Sequence, residues 1–122
     1  MKRNGKQPVV SVIVPTYNAG EFVAQCLDSV LGQTMGVDDG STDDTWAIVE
    51  ERAQRDGRVA ALRQANAGPG AARNAGLERA CGRYVYCLDA DDYLECDMLA
   101  SCVKALDDAQ ADMALVALRT YN

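Results

Sequence analysis

The chain has 122 residues, 48% hydrophobic and 25% charged, a composition that fits one folded domain and excludes wholesale disorder. Its formal net charge is −6 at pH 7 and no basic patch is present, so we expect no nucleic-acid partner. It has no histidine, which excludes the commonest general base and leaves oxygen-rich or thiolate sites for any metal.

The first predicted elements are a strand and a helix. Residues 9–14 form a continuous β-branched run, which is typical of a buried parallel strand, and Pro15 ends it. The next element is predicted to be an amphipathic helix that ends before Gly32. Its core-facing residues, at helical spacing, are Phe22, Val23, Cys26, Leu27, Val30 and Leu31.

The middle of the chain alternates polar loops with further helices and strands. The segment DDGSTDDT, residues 38–45, leads into a predicted helix at about residues 42–55, and a short strand is predicted at residues 59–62. The loop NAGPG, residues 66–70, is followed by an alanine-rich helix at residues 71–80, which Gly82 closes.

A strand predicted at residues 84–88 ends in an acidic cluster formed by Asp89, Asp91 and Asp92. Carboxylates this close repel one another, so the cluster needs a cation or a proton. Oxygen ligands suit Mg²⁺ or Mn²⁺, and Mg²⁺ usually shares its coordination sphere with substrate phosphates. The sequence therefore predicts a metal–phosphate site at this position.

The order of the elements predicts an α/β fold with a mostly parallel sheet. An amphipathic helix around residues 98–106 follows the acidic cluster, and residues 113–118 are predicted to form a last strand. Ligands of such sheets bind beyond the carboxyl ends of the strands. Polar clusters at residues 15–18, 38–39 and 89–92 lie at or just after such ends, so we expect them to converge on one cleft.

The cysteines and the start of the chain bear on its environment. Five cysteines without a CxxC pair are expected to be reduced and mostly buried, not part of a zinc or disulfide framework. The basic start MKRNGKQP and the short apolar run after it lack the features of a signal peptide, and no run reaches transmembrane length. We therefore expect no transmembrane segment in this chain and a place in the cytoplasm or at the inner face of the membrane.

Four motifs in order give the sequence a specific resemblance. They are SVIVPTYNAGEFVAQCLDSVLGQT, VDDGSTDDT, NAGPGAARNAGL and GRYVYCLDADDYL. From about residue 9 to residue 98, this arrangement resembles the start of a family 2 glycosyltransferase with the GT-A fold. The resemblance implies a Rossmann-like fold of three layers. It also implies that residues 1–122 are the donor-binding part of one such domain, without the acceptor-binding half.

The resemblance implies which residues would bind the nucleotide. Pro15, Thr16 and Tyr17 would lie near its base, and Asp39 would accept a hydrogen bond from the imide N–H of that base, since a carboxylate only accepts. For Asp38 and Asp39 the alternative is a structural one, a turn that caps the following helix.

The same resemblance implies a metal site. Residues 89–91 match the DxD motif, in which Asp91 binds Mn²⁺ or Mg²⁺ and Asp89 lies near the donor's ribose or the metal. Arg73 would face the nucleotide or the acidic cluster, with a surface ion pair as the alternative. Asp92 is expected to cap the turn and helix that follow.

Two departures from the family pattern affect these expectations. Only two residues separate the QT pair from Val37, where the family has a whole strand. The sheet is therefore expected to lack one strand before Val37, and Asp39 to be displaced. In addition, no residue of the chain can be assigned as the family's carboxylate general base, so the catalytic base is unknown.

The function implied is that of an inverting glycosyltransferase acting in the synthesis of cell-surface polysaccharide or glycolipid. It would transfer a sugar from a nucleotide-diphosphate sugar, in the first place a UDP-sugar, to a hydroxyl of an acceptor glycan or lipid-linked glycan. One alternative is a truncated, catalytically inactive domain that binds nucleotide sugar. Another is a phosphatase of the haloacid-dehalogenase type, but that motif continues with Thr or Val where this chain has Tyr93.

Overall fold

The computed structural model describes residues 7–30 and 32–114, and strands alternate with helices along them. The strands are β1 (Val10–Thr16), β2 (Gln33–Asp38), β3 (Val59–Arg63) and β4 (Tyr84–Cys87). The helices are α1 (Val23–Asp28), α2 (Thr45–Arg55), α3 (Pro69–Arg79) and α4 (Met98–Ala109). Of the last predicted strand, only Met113 and Ala114 are described, outside any strand, and the remainder lies outside the described residues.

The four strands form one parallel sheet in the order β3-β2-β1-β4, which confirms the predicted α/β fold. From β1 the chain first builds outward through β2 and β3, and then returns to place β4 on the other side of β1. Such a reversal opens a crevice at the carboxyl ends of the two strands that flank it, where α/β proteins bind ligands. The crevice lies here between β1 and β4.

Helices cover both faces of the sheet, so the molecule has the three layers that were predicted. Successive residues of a strand point to opposite faces. Val12 and Val14 of β1 therefore pack with residues of α1 and α2, while Ile13 packs with Ala72 of α3 on the other face. All three β1 side chains are fully buried, which makes β1 the centre of the core.

The strand that the sequence analysis expected to be missing before Val37 is present. β2 extends over Gln33–Asp38, and all of its residues are buried. It pairs over its whole length with β1 and over residues 34–38 with β3. The predicted gap in the sheet, with unpaired neighbouring strands, is therefore wrong. The displacement of Asp39 that this gap implied is also wrong, because β2 leads directly to it.

β2 forms from the segment that was predicted as the connection between the first helix and the DDGSTDDT segment, together with the first residue of that segment. α1 ends at Asp28, earlier than expected, and the six residues of β2 span about 20 Å at strand spacing. The polar side chains that made this strand hard to recognise in the sequence form hydrogen bonds. The Ser11 hydroxyl donates to the Gln33 amide oxygen, and Thr34 Oγ1 donates to the Gly32 carbonyl oxygen at 3.2 Å.

The cysteines only partly follow the expectation. Cys26 is buried and Cys81 and Cys102 are partly exposed, whereas Cys87 and Cys96 are exposed, so the prediction of mostly buried cysteines is wrong for these two. Within residues 7–30 and 32–114, no helix is both long and apolar enough to cross a lipid bilayer.

The contact between α3 and β1 gives a first testable prediction. A Cβ atom added at Gly76 would lie 2.5 Å from Cγ2 of Ile13, whereas one added at Gly70 of the same helix would meet nothing within 4 Å. We expect Gly76→Ala to destabilise the fold by about 1–3 kcal/mol, because the branched Ile13 side chain cannot move aside inside the core. The matched variant Gly70→Ala should be neutral or stabilising by up to about 1 kcal/mol. Urea unfolding of both variants measures the difference, and equal stability would contradict the close packing of α3 on β1.

Candidate functional site

A cleft of about 550 Å³ opens at the carboxyl edge of the sheet, at the crevice between β1 and β4. All seven residues that the sequence analysis singled out for binding line this one cleft: Pro15, Thr16, Tyr17, Asp39, Arg73, Asp89 and Asp91. The predicted convergence of the three polar clusters is thus confirmed.

The turn after β1 is tied to the polar segment after β2. Asn18 has left-handed backbone (φ 47°), and its Oδ1 accepts a hydrogen bond from the Thr42 N–H at 2.8 Å. Its own N–H donates to Ser41 Oγ at 2.9 Å, and the Ala19 N–H donates to Thr45 Oγ1 at 2.9 Å. These bonds fix one wall of the cleft, where Tyr17 lies half exposed.

Asp38 has a structural role in the same wall. Its side chain is fully buried, accepts a hydrogen bond from the Ser41 N–H at 3.1 Å and one from Thr16 Oγ1 at 3.3 Å, and pairs with the Arg63 guanidinium at 3.7 Å. The expected capping alternative is not observed, because the residue at the N-cap of α2 is Asp44. Asp38 instead closes the turn that presents Asp39 to the cleft.

The carboxylate of Asp39 organises the loop between β3 and α3. Its Oδ1 accepts hydrogen bonds from Gln64 Nε2 at 2.9 Å and from the Ala67 N–H at 2.8 Å. Its Oδ2 accepts one from the Gly68 N–H at 2.9 Å and a longer one from Asn66 Nδ2 at 3.3 Å. The bond from Gln64, followed by those from the two backbone N–H groups, holds the pKa of Asp39 below its ordinary value, against the opposing effect of burial.

The sequence analysis identified the NAGPG loop but gave its residues no part in the site. Asn66, Gly68 and Pro69 line the cleft, and Gly68 has a positive φ of 97° that favours glycine. The glycine and proline content of the loop was the signal in the sequence that could have indicated its part in the site. Its pairing with Asp39 could not be read from the sequence because nearly thirty positions separate Gly68 from that carboxylate.

The acidic cluster projects from an irregular segment after β4. Leu88 and Ala90 are buried against the core, whereas Asp89, Asp91 and Asp92 are exposed. One carboxylate oxygen from each of the three lies within 4.8 Å of the others. Burial, followed by the charges of Asp91 and Asp89, raises the pKa of Asp92. A cluster of exposed carboxylate oxygens that repel one another fits a divalent cation with oxygen ligands.

The structure refines two sequence predictions at the cluster, one for its neighbour Arg73 and one for its member Asp92. Arg73 of α3 places its Nη2 atom 3.7 Å from Oδ1 of Asp89, so it faces the acidic cluster from across the cleft. Asp92 does not cap the following helix as expected. The N-cap of α4 is Asp97, while the Asp92 N–H donates to the Asp89 carbonyl oxygen at 3.0 Å and closes a turn.

Phe22 lies in the cleft and not in the core where the helical spacing placed it. It is 46% exposed and lines the cleft together with Tyr17, because α1 begins at Val23 and leaves Phe22 at the N-cap. Its spacing matched the apolar face of the predicted helix, but a residue just before a helix need not lie on that face.

The sequence of the chain is similar to those of known proteins. The family model described as Glycosyl transferase family 2 matches residues 11–122. The glycosyltransferase GlyA of Streptococcus pneumoniae is 39% identical over 119 residues, which are 93% of this chain and 17% of that protein. The poly(ribitol-phosphate) beta-N-acetylglucosaminyltransferase TarS of Staphylococcus aureus is 35% identical over 121 residues, 92% of this chain and 21% of that protein.

Solved structures agree with the sequence comparison. The crystal structure of TarS in complex with UDP-GlcNAc has a TM-score of 0.75 and 32% identity, and the match covers 83% of this chain and 32% of that one. The mannosyltransferase PcManGT from Pyrobaculum calidifontis, in complex with GDP-Man and Mn²⁺, has a TM-score of 0.73 and 31% identity, covering 84% and 33%. The chain spans a third or less of the length of each of these proteins.

Proposed function

Because the chain belongs to glycosyl transferase family 2, we propose that its cleft binds the donor substrate of a sugar transfer, a nucleotide-diphosphate sugar. The observation that carries the proposal is the convergence of Asp39, Arg73 and the acidic cluster on one cleft at the point where the strand order reverses. A carboxylate at one end of the cleft and an acidic cluster with an arginine at the other match the needs of a ligand with a base at one end and phosphates at the other.

The base of the nucleotide is proposed to lie against Pro15, Thr16 and Tyr17, with its imide N–H donating to Asp39. The carboxylate already receives four hydrogen bonds from the protein, and the 3.3 Å bond from Asn66 is the longest of them. A ligand N–H would therefore displace the Asn66 amide at little cost. Uracil offers such an N–H, which makes a UDP-sugar our first choice, and the UDP-GlcNAc complex of TarS supports it.

The diphosphate is proposed to lie beside the acidic cluster, where Asp91 and Asp89 would hold Mn²⁺ or Mg²⁺. The three exposed carboxylates fit such an ion, and the Mn²⁺ complex of PcManGT supports it. The chemistry supplied by a bound cation is neutralisation of the charge on the departing diphosphate. Arg73, 3.7 Å from Asp89, adds a fixed positive charge on the opposite side of the cleft.

The reaction proposed is inverting transfer of the sugar to an acceptor hydroxyl, in the synthesis of a cell-surface polysaccharide or glycolipid. The name of TarS, a poly(ribitol-phosphate) beta-N-acetylglucosaminyltransferase, supports transfer to a polymer acceptor. Among the residues described, none in the cleft is assigned as the base that removes the hydroxyl proton. We place that base in the acceptor-binding half, because the chain corresponds to a third or less of its relatives.

Binding of UDP tests the donor site directly. We expect calorimetry to show affinity for UDP at least about tenfold higher with Mn²⁺ than with EDTA, because phosphate oxygens complete the coordination of the ion. UMP serves as the matched control, since it lacks the second phosphate and should lose most of this gain. Equal affinities for UDP and UMP under both conditions would contradict the proposed site.

The alternative function is that of a nucleotide-sugar-binding domain without catalytic activity. Release of UDP from UDP-GlcNAc in the presence of Mn²⁺ and an acceptor glycan separates the two proposals. Donor binding without turnover would favour the binding domain, and acceptor-dependent turnover would favour the transferase.

A further inference from the structure

Helix α1 contacts the acidic segment, defined as residues 89–94, at two polar points. The thiol of Cys26 donates to the Asp89 carbonyl oxygen, with Sγ and O 3.5 Å apart. The hydroxyl oxygen of Ser29, at the C-cap of α1, accepts a hydrogen bond from the Leu94 N–H at 3.0 Å. These contacts hold the first and the last residue of the segment.

The Ser29 hydroxyl is itself held in place. It donates its proton to the Cys26 carbonyl oxygen at 2.7 Å, so the oxygen lone pairs remain available to the Leu94 N–H. A hydroxyl has one donor and two acceptor sites, and this arrangement uses the donor within α1 and an acceptor toward the segment. Ser29 therefore joins the end of α1 to the end of the acidic segment.

The thiol of Cys26 makes its contact inside the core, because its side chain is fully buried. Ala90 and Leu94 of the segment pack in the hydrophobic core, and this packing fixes how close the segment lies to the core. The hydrogen bonds from Cys26 and to Ser29 also fix the orientation of the segment's backbone, because hydrogen bonds are directional and apolar packing is not.

We propose that Ser29 and Cys26 are positioning residues for the metal-binding carboxylates, because they orient the backbone from which Asp89 and Asp91 project. The expected effect of these contacts on metal-dependent nucleotide binding rests on the proposed function. The contact itself is a property of the chain and can be measured without any ligand.

The test uses the full chain with Ser29→Ala, Ser29→Thr and the exposed control Ser101→Ala. In Ser29→Ala, we expect hydrogen exchange of the Leu94 amide, followed by NMR, to accelerate about tenfold, the scale of one lost hydrogen bond. We expect UDP affinity in Mn²⁺ to fall about tenfold, while UDP affinity in EDTA changes less than about twofold. Ser29→Thr keeps the hydroxyl and should restore both quantities, and Ser101→Ala should change neither.

Cys26→Val tests the other contact, because valine keeps an apolar side chain of similar size and removes the donor. A thiol is a weak donor, so we expect a smaller loss of about threefold in UDP affinity, confined to the measurement with Mn²⁺.

The outcomes separate this inference from the proposed function. Unchanged exchange at Leu94 in Ser29→Ala overturns the contact, and faster exchange with unchanged Mn²⁺-dependent affinity overturns the positioning role. An equal loss of affinity with Mn²⁺ and with EDTA also overturns it, since that pattern reports general destabilisation. If the unmodified chain binds UDP equally with and without Mn²⁺, both the proposed metal site and the positioning role are wrong. The exchange rate of the Leu94 amide would still show whether the contact with Ser29 exists.

Discussion

Replacement of Asp91 by alanine is expected to abolish the Mn²⁺-dependent part of UDP binding, a loss of at least about tenfold in affinity. Mutation even of groups that only support metal ligands costs 10–100-fold in metal affinity. Asp89 would then hold the ion without Asp91, while its carboxylate also faces the guanidinium of Arg73 at 3.7 Å. Calorimetry with UDP in Mn²⁺ and in EDTA measures the effect, and the affinity in EDTA should stay the same.

The control for this experiment is Asp112→Ala, which removes an exposed carboxylate far along the chain from the cluster. It should bind UDP as the unmodified chain does. Stability gives a second check, since removal of one of three mutually repelling charges should leave the free energy of unfolding unchanged or slightly higher. Equal UDP affinity of Asp91→Ala and the unmodified chain in Mn²⁺ would remove Asp91 from the metal site.

Replacement of Asp39 by asparagine is expected to destabilise the fold by about 2–4 kcal/mol. The amide NH₂ group would face backbone N–H donors, and at least one of those of Ala67 and Gly68 would lose its acceptor, at a cost of about 1–3 kcal/mol for each group left unpaired. The matched control is Asp108→Asn on α4, whose exposed pair with Lys104 contributes at most about 0.5 kcal/mol. Urea unfolding at neutral pH measures both variants.

The same variant changes how stability depends on pH. The pKa of Asp39 is lowered from 3.8 in the folded chain, chiefly by the bond from Gln64, so its stabilising effect is present above pH 3.8. The effect is lost as the pH falls from there toward the folded pKa. We therefore expect the unmodified chain to lose stability more steeply below pH 3.8 than Asp39→Asn. Parallel pH profiles of the two proteins would show that the carboxylate is not held by the loop as described.

The sequence by itself determined those features that depend on local patterns. A buried β-branched run predicted β1, and the alternation of apolar runs with helical spacing predicted a parallel α/β sheet. Parallel strands direct their carboxyl ends to one edge, so polar residues after β1, β2 and β4 had to meet there. The polar clusters of the cleft could therefore be predicted from this pattern, whereas the individual roles of Asp39, Arg73 and Asp91 came from the resemblance to the family.

Tertiary structure decided the features that depend on contacts between distant segments. β2 forms from a partly polar sequence because its backbone pairs with strands on both sides, β1 and β3, and this outweighs weak local propensity. The partners of Asp39 in the NAGPG loop and the contact of Ser29 with Leu94 join residues 27 to 65 positions apart. A single sequence carries periodicity along the chain, but a hydrogen bond between two elements depends on how they pack, and only the folded molecule specifies that.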